Sequence, residues 1–438
     1  MTPPPRPGDA APGRAPLLLL ASVYAIPLVV AAVTPIDDFR TGPQGDIGLY
    51  LDKAYSVLTG LVPYRDFPLE YPPAALIPMT LPDALWPLGP PSLSVYAWLF
   101  AGQIAVLLLA LGLVLGRIVR ARAAWTATDA SLVRREQRDV GIRLLVLAVG
   151  ASLALTWRFD LFAVLLATTA VWAALDARPI IAGVAIGIGI LAKLFPVVLA
   201  PALAVVWLLP LDWSRLRQFG SAVFLSVVLG MAPFVALAGS KAFTFIGYQA
   251  DRGLQIESVG GGLVLLAGLL TGEPNALIAP FSAWEVTGSL ARVLQVLSAA
   301  LVLFGLGALG WLGWQRARDD ARRDGEVAPA TVVTLATIAV LLLVLTSKVF
   351  SIQYVVWLVP FLALLPWRQF SLGASAVALT VPIHPVLYPA LVRQEALPVL
   401  VLNVRNGLLV ALLAWLAWEL VRRAPPRAGT RPEGLAYS

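Results

Sequence analysis

The sequence predicts an all-α polytopic membrane protein, and three observations carry that prediction. Of its 438 residues, 59% are hydrophobic and only 13% charged, where soluble globular chains are about a quarter charged. Apolar runs recur along the chain at close to the roughly 20 residues that a helix needs to cross a bilayer. Basic residues gather in some connections and acidic residues in others, which is the asymmetry that orients membrane proteins.

Taken in order, residues 1–14 are Pro-rich and polar and read as a disordered cytoplasmic tail. The run Ala15–Val33 is too long for a typical signal-peptide core and reads as an uncleaved first span. Further spans are expected at roughly 92–116, 141–157, 159–175, 179–193, 195–210, 219–239, 288–314, 330–347, 353–367, 371–391 and 396–421. The total is about twelve, in one transmembrane domain over residues 15–421, followed by a cytoplasmic tail at 422–438.

Charge orients these spans. The connection 117–143 carries seven arginines, Arg316, Arg318, Arg322 and Arg323 mark a second basic connection, and the C-terminal tail is also basic. The positive-inside rule places all three in the cytoplasm, and an even number of spans puts both termini there. The loop 37–90, with seven acidic residues against three basic, then faces outward, as does 240–287 with four against two. All four lysines (Lys53, Lys193, Lys241, Lys348) fall at outer positions, where compact cations suit an anionic ligand.

Within loop 37–90, Leu51, Tyr55, Leu58 and Val62 recur at helical spacing beside Asp52, Lys53, Ser56 and Thr59. That pattern predicts a short helix in the interface plane, with Asp46 just ahead of it. The stretch from Tyr71-Pro72-Pro73 to Leu81 predicts a second one, entered through prolines. Gly183 and Gly187 form a GxxxG pattern for helix packing. Trp98, Trp157, Trp357 and Trp415 near span ends read as interface anchors.

The composition also excludes. Without cysteine there is no disulfide, thiolate metal site or Cys nucleophile. One histidine, His384, leaves no His cluster, and with neither HExxH nor DxD nothing requires a metal or other cofactor. Of two acidic pairs, Asp37-Asp38 and Asp319-Asp320, the second lies on the cytoplasmic side. The net charge of +7 comes from connection arginines and is no sign of nucleic-acid binding. Of the 32 basic residues 28 are arginine, a bias common in high-GC bacterial genes.

An acidic outer loop on interfacial helices, with cations at neighbouring helix ends, suits sugar transfer from a lipid phosphate. The lipid tail stays in the bilayer and the phosphate sits at headgroup level. Phosphate is a stable leaving group, so a general acid is dispensable. One carboxylate must take the proton of the acceptor hydroxyl, and cations must neutralise the departing phosphate.

Asp46-Ile47-Gly48-Leu49-Tyr50, Gly60-Leu61-Val62-Pro63-Tyr64-Arg65-Asp66-Phe67 and Glu70-Tyr71-Pro72-Pro73 resemble the first outer loop of one family. It comprises the bacterial polyprenol-phosphate-mannose-dependent mannosyltransferases, the PimE-like members of glycosyltransferase family 87. The resemblance continues through Arg158-Phe159-Asp160-Leu161, Ala192-Lys193-Leu194-Phe195-Pro196, the segment Tyr248–Ser258 and Lys348–Tyr354. It implies a GT-C fold and an inverting transfer on the outer face of a bacterial plasma membrane. Asp46 matches the family's general base. Glu70, Tyr71, Arg158, Asp160, Lys193, Tyr248, Arg252, Gln255, Glu257, Lys348, Gln353 and Tyr354 become substrate contacts by the same resemblance, and His384 joins them by its place near an outer span end. The implied partners are a polyprenyl-phosphate sugar, a glycolipid, glycan or protein acceptor, and membrane lipids.

Plainer readings stand beside these. Asp46 could cap the interfacial helix, leaving Asp37 or Asp38 as rival bases. Arg158 and Asp160 could form a local ion pair that holds a hairpin. Lys193 could snorkel to headgroups. Arg252, Gln255 and Glu257 could belong to a solvated loop, and Lys348, Ser351, Gln353 and Tyr354 to helix-end caps. His384 could be structural. Rival functions are transfer from polyprenyl-phosphate-arabinose or polyprenyl-phosphate-glucose, a lipid or sugar transporter, and a non-catalytic envelope scaffold. Transporters favour inverted repeats and mid-membrane charges, neither of which the sequence displays.

Overall fold

The computed structural model describes residues 14–34, 45–126, 128–209, 211–281 and 283–422, with side chains for residues 21–34 and from Asp46 onward. The expected tails, apart from Arg14 and Arg422, and the rival carboxylates Asp37 and Asp38 lie outside the described residues.

The described chain is helical apart from one small sheet. Five helical stretches are long and apolar enough to cross a membrane: Leu93–Trp125, Trp213–Asp251, Ser289–Asp324, Pro329–Thr346 and Ala396–Val421. Shorter apolar helices run between them, among them Asp160–Leu175, Pro179–Ala192, Phe195–Leu208 and Tyr354–Ala363. This is a multi-pass membrane protein. Burial sorts the long helices: 72% of the apolar window of Pro329–Thr346 is covered by other helices, against 11% for Trp213–Asp251 and Ser289–Asp324. The first is the bundle's centre. The other two lie at its edge and bare Phe224, Leu229, Val296, Leu303 and Phe304, an apolar surface suited to lipid.

Small residues set one close helix contact. A Cβ at Gly183 would stand 2.5 Å from the Phe219 carbonyl oxygen, and one at Gly187 2.5 Å from Ser226 Cβ. Only glycine lets Pro179–Ala192 approach Trp213–Ala238 this closely, as the GxxxG spacing predicts.

The first loop carries two helices, Gly45–Leu58 and Leu76–Ala84, the second entered through a 3₁₀ turn at Pro73–Ala75. Ile47, Tyr50 and Ala54 form the buried stripe of the first, whereas Tyr55 and Leu58 are exposed. The expected Leu51-Tyr55-Leu58 stripe is thus largely the outer face, because the bundle covers the stripe one residue earlier. Lys53 Nζ donates to the Pro68 carbonyl at 2.5 Å and the Tyr64 hydroxyl to the Tyr71 carbonyl at 2.7 Å, which ties the loop to itself. The Tyr96 hydroxyl and the Gln103 amide donate to the Met79 and Pro78 carbonyls, at 2.6 and 3.0 Å, which ties it to the bundle.

Two expected loops prove structured. Residues 117–125 and 130–143 are helical, so the connection 117–143 narrows to a short turn. Arginine is a good helix former, and its apolar stem and flat head find cover: Arg117 and Arg178 both stack on Trp172, at 4.9 and 5.4 Å, and Arg143 on Trp367 at 5.2 Å. For the same reason the span expected to stop at 314 continues to Asp324. Segment 240–287 holds the helix Val259–Thr271 and antiparallel strands Leu254–Gln255, Leu277–Ile278 and Glu285–Val286, the last in the middle.

Candidate functional site

Asp46 is the second residue of the helix Gly45–Leu58, inside its first turn rather than at its cap. A carboxylate there is favoured by the helix dipole. Its Oδ2 lies 3.1 Å from Arg158 Nε and accepts a hydrogen bond from the Tyr50 hydroxyl at 3.4 Å. Arg158 comes from the turn between Ser152–Thr156 and Asp160–Leu175. Burial, the largest single influence, works against its charge, yet Asp46, Tyr50, Tyr71 and Asp160 together outweigh it, and its pKa is raised. Burial first, and Asp46 next, push the Tyr50 and Tyr71 hydroxyls well above their ordinary pKa, so both stay protonated donors.

Arg158 and Asp160 do not form the local ion pair that their spacing suggests. Asp160, fully buried, accepts from Lys193 Nζ at 2.9 Å and from the Trp357 indole at 2.6 Å. Lys193 also lies over the Phe159 and Tyr71 rings, at 4.8 and 5.2 Å. Trp357 is stacked between Tyr354 and Phe195, at 3.9 and 4.5 Å. Trp157 and Trp357 are therefore core residues, 1% and 4% exposed, and not interface anchors. Three helix ends are locked together at one level.

The small sheet supplies the third part. Gln255 pairs with Glu285 across the strands, so their side chains share a face. Alternation puts Glu257 on that face too. Leu254, Ile256 and Val286 fall on the other side, in an apolar cluster with Val264, Ile383 and Leu402. Gln255 Nε2 donates to Glu257 Oε2 at 2.7 Å and to Ser351 Oγ at 3.1 Å. Arg405 Nη2 reaches the Glu257 carbonyl at 2.5 Å and its guanidinium lies 4.0 Å from the Phe350 ring. Burial pushes the Glu257 carboxyl up to about 7, opposed by Arg405, Arg252 and Arg158. Lys348 Nζ donates to the Ala250 carbonyl at 2.7 Å, and burial lowers its pKa against the pull of Glu285.

These parts form one site. Tyr248 lies within electrostatic reach of Arg252, Glu70, Asp46 and Glu285, and Tyr354 of Arg252 and Asp160. His384, beyond the helix Trp367–Val381, is within reach of Arg158 and Asp46 and packs on Tyr388 at 4.6 Å. Nearly every residue singled out in the sequence converges here. Gln353 begins the helix Tyr354–Ala363, beside the hydrogen-bond network rather than within it. Arg405 belongs to that network and Glu285 stands beside it as the cross-strand partner of Gln255, and both were missed. An acidic residue between Trp284 and Val286 was the available signal for Glu285. Among the described residues no three of His, Asp and Glu are placed to hold a metal ion.

Two cavities of about 530 and 520 Å³ lie at the other end of the bundle and share Trp125 and Pro329. Of their four carboxylates three are already paired: Glu136 with Arg143 at 2.9 Å, Asp139 with Arg138 at 3.4 Å and Asp212 with Arg215 at 3.4 Å. Among the described residues that line them there is no comparable cluster of unsatisfied polar groups.

No family model matches this chain, and no curated protein matches it either. Among solved structures it is similar to ArnT from Cupriavidus metallidurans bound to undecaprenyl phosphate, with TM-score 0.48 and 17% identity over 92% of this chain and 77% of that one. It is also similar to the archaeal oligosaccharyltransferase AglB from Archaeoglobus fulgidus, in complex with an inhibitory peptide and a dolichol-phosphate. There the TM-score is 0.44 and the identity 15%, over 94% of this chain and 56% of that one.

Proposed function

We propose that this protein is an inverting membrane glycosyltransferase of the GT-C type. It moves a sugar, mannose by the sequence resemblance, from a polyprenyl phosphate to an acceptor hydroxyl on the outer face of a bacterial plasma membrane. The observation that carries the reading is the Asp46–Arg158 pair at 3.1 Å, a carboxylate and a guanidinium brought together where the first loop meets two helix ends.

In the reaction, the acceptor oxygen attacks the anomeric carbon as the bond from that carbon to the phosphate oxygen breaks. The bonding pair leaves with polyprenyl phosphate, and the acceptor proton passes to Asp46. Arg158 holds the Asp46 carboxylate in place, Nε to Oδ2 at 3.1 Å. A guanidinium has five N–H donors, so Arg158 can hold Asp46 and the departing phosphate at once. Lys348 adds positive charge for the leaving group. Lys193 is already neutralised by Asp160, so its part is to position the helix ends that carry Arg158 and Trp357.

The test is transfer of labelled mannose into lipid or glycan by membranes containing the full chain, from polyprenyl-phosphate-mannose and, separately, from GDP-mannose with no lipid donor. Transfer from the lipid donor alone is the expected result. Transfer from the nucleotide sugar alone, or from neither, defeats the reading.

A further inference from the structure

The buried polar side chains of the site have an unusual balance. Glu70 Oε2, Glu257 Oε1 and Glu285 Oε1 are buried acceptors without a hydrogen-bond partner among the described residues, and Arg252 Nε and Arg405 Nη1 are buried donors in the same condition. Glu257 and Glu285 are 3% exposed, Arg405 0% and Arg252 9%. A buried polar group without a partner costs about 1–3 kcal/mol, and native proteins keep few of them. Four of the five fall around one sheet face: Glu257 and Glu285 lie on it, Arg252 precedes its first strand, and Arg405 reaches it through the Glu257 carbonyl.

Their chemistry constrains the ligand. A phosphate offers only acceptors, so it satisfies the arginines and repels the glutamates. An amine offers only donors, so it does the reverse. A sugar hydroxyl donates and accepts at once, and adjacent hydroxyls on one ring can meet carboxylates and guanidiniums together. The cluster's charges also offset one another, which suits a neutral ring.

Glu285 is the residue most specifically placed for this. It stands on the central strand with Gln255 as cross-strand partner, and its Oε2 packs where a Cβ at residue 253 would collide, so Gly253 leaves room for the carboxylate. Lys348 and Tyr248 are its charged and phenolic neighbours, and Arg252 lies within reach of both. We propose that Glu285, with Glu257 and Arg252, forms a sugar-recognition wall that reads the hydroxyls of a neutral pyranose. The proposal rests on the glycosyl-transfer reading and deepens it by naming the residues that choose the sugar.

The experiment pairs variants with deoxy sugars. Purified full-length wild type, Glu285→Ala and Glu285→Gln are assayed with undecaprenyl-phosphate-mannose and its 2-, 3- and 4-deoxy analogues, with octyl α-mannoside as acceptor. A parallel set keeps the donor fixed and varies deoxy positions on the acceptor. A carboxylate that reads one hydroxyl gives a roughly 10- to 100-fold lower kcat/KM on replacement by alanine. The loss shrinks to near nothing with the one analogue lacking that hydroxyl. The arm in which it shrinks, donor or acceptor, identifies which sugar the wall holds.

Equal loss with every analogue makes Glu285 a structural residue and overturns the proposal, as does full activity in both variants. Glu285→Gln guards against misfolding, since it keeps the shape and is expected to retain wild-type thermal stability. A wild type that transfers mannose while the Glu285 variants show no analogue dependence defeats the recognition wall alone. A wild type that transfers nothing from any lipid-linked sugar defeats the wall and the functional reading together.

Discussion

Asp46 and Arg158, 3.1 Å apart, join the first loop to the turn ahead of Asp160–Leu175. Asp46 is about a third exposed while Arg158 is almost fully covered, at 32% and 11%, so the pair sits at the wall of the site with its carboxylate toward the open side. Loss of Arg158 therefore harms activity more than folding. Arg158→Gln is expected to lower kcat by 100-fold or more, of the order seen when a charge-stabilising donor is removed. Arg158→Lys should recover part of it, because lysine restores the charge but not the fork. Measured kcat near the wild-type value in Arg158→Gln would show that the pair is structural.

The Asp160–Lys193 pair behaves oppositely. Both residues are buried, and Asp160 is also held by Trp357. Removing one partner strands a buried charge and is expected to cost about 3–5 kcal/mol. Lys193→Met and Asp160→Asn should each lower the thermal midpoint in detergent sharply, and the double variant by less than the sum. Additive losses would mean the two do not act as a pair.

Helix packing gives a prediction independent of function. Valine at Gly183 places a side chain against the Phe219 carbonyl, and overpacking of this kind costs about 1–3 kcal/mol. Gly48 has open space around it, so Gly48→Ala should leave stability within experimental scatter. Equal tolerance at both positions would contradict the close crossing of these helices.

Glu257 links stability to pH. Burial raises its carboxyl from 4.5 to about 7. The folded state thus holds a proton that the unfolded state releases earlier. The stabilisation is complete below pH 4.5 and fades as pH rises toward 7, by up to roughly 3 kcal/mol. Glu257→Gln removes this slope, so the gap between wild type and variant should change across that window and level off above it. Parallel stability curves from pH 5 to 8 would rule out the raised carboxyl.

Much of the fold was legible because hydropathy and charge are local properties. The first-loop helices, the Gly183–Gly187 contact and most residues of the candidate site could be read from spacing or resemblance. What escaped depended on distance along the chain. Arg158 and Asp160 are two positions apart and look like partners, but the helix starting at Asp160 turns their side chains toward Asp46 and Lys193 instead. Trp157 and Trp357 look like interface anchors by position, and only tertiary packing shows them to be buried. The strands Leu254–Gln255 and Glu285–Val286 are two residues long, too short to show any period, which is why Glu285 passed as part of a loop. The arginines of 117–143 masked helices whose stabilisation comes from rings elsewhere in the chain.

The central claim is that Asp46 accepts the acceptor's proton. Asp46→Asn tests it most directly, because asparagine keeps the size and the oxygen that faces Arg158 but cannot take a proton. Transfer of labelled mannose from polyprenyl-phosphate-mannose should fall by about 100- to 10,000-fold, with protein level and thermal stability unchanged. Transfer at the wild-type rate would contradict the account and move the search for the base to Asp37 and Asp38.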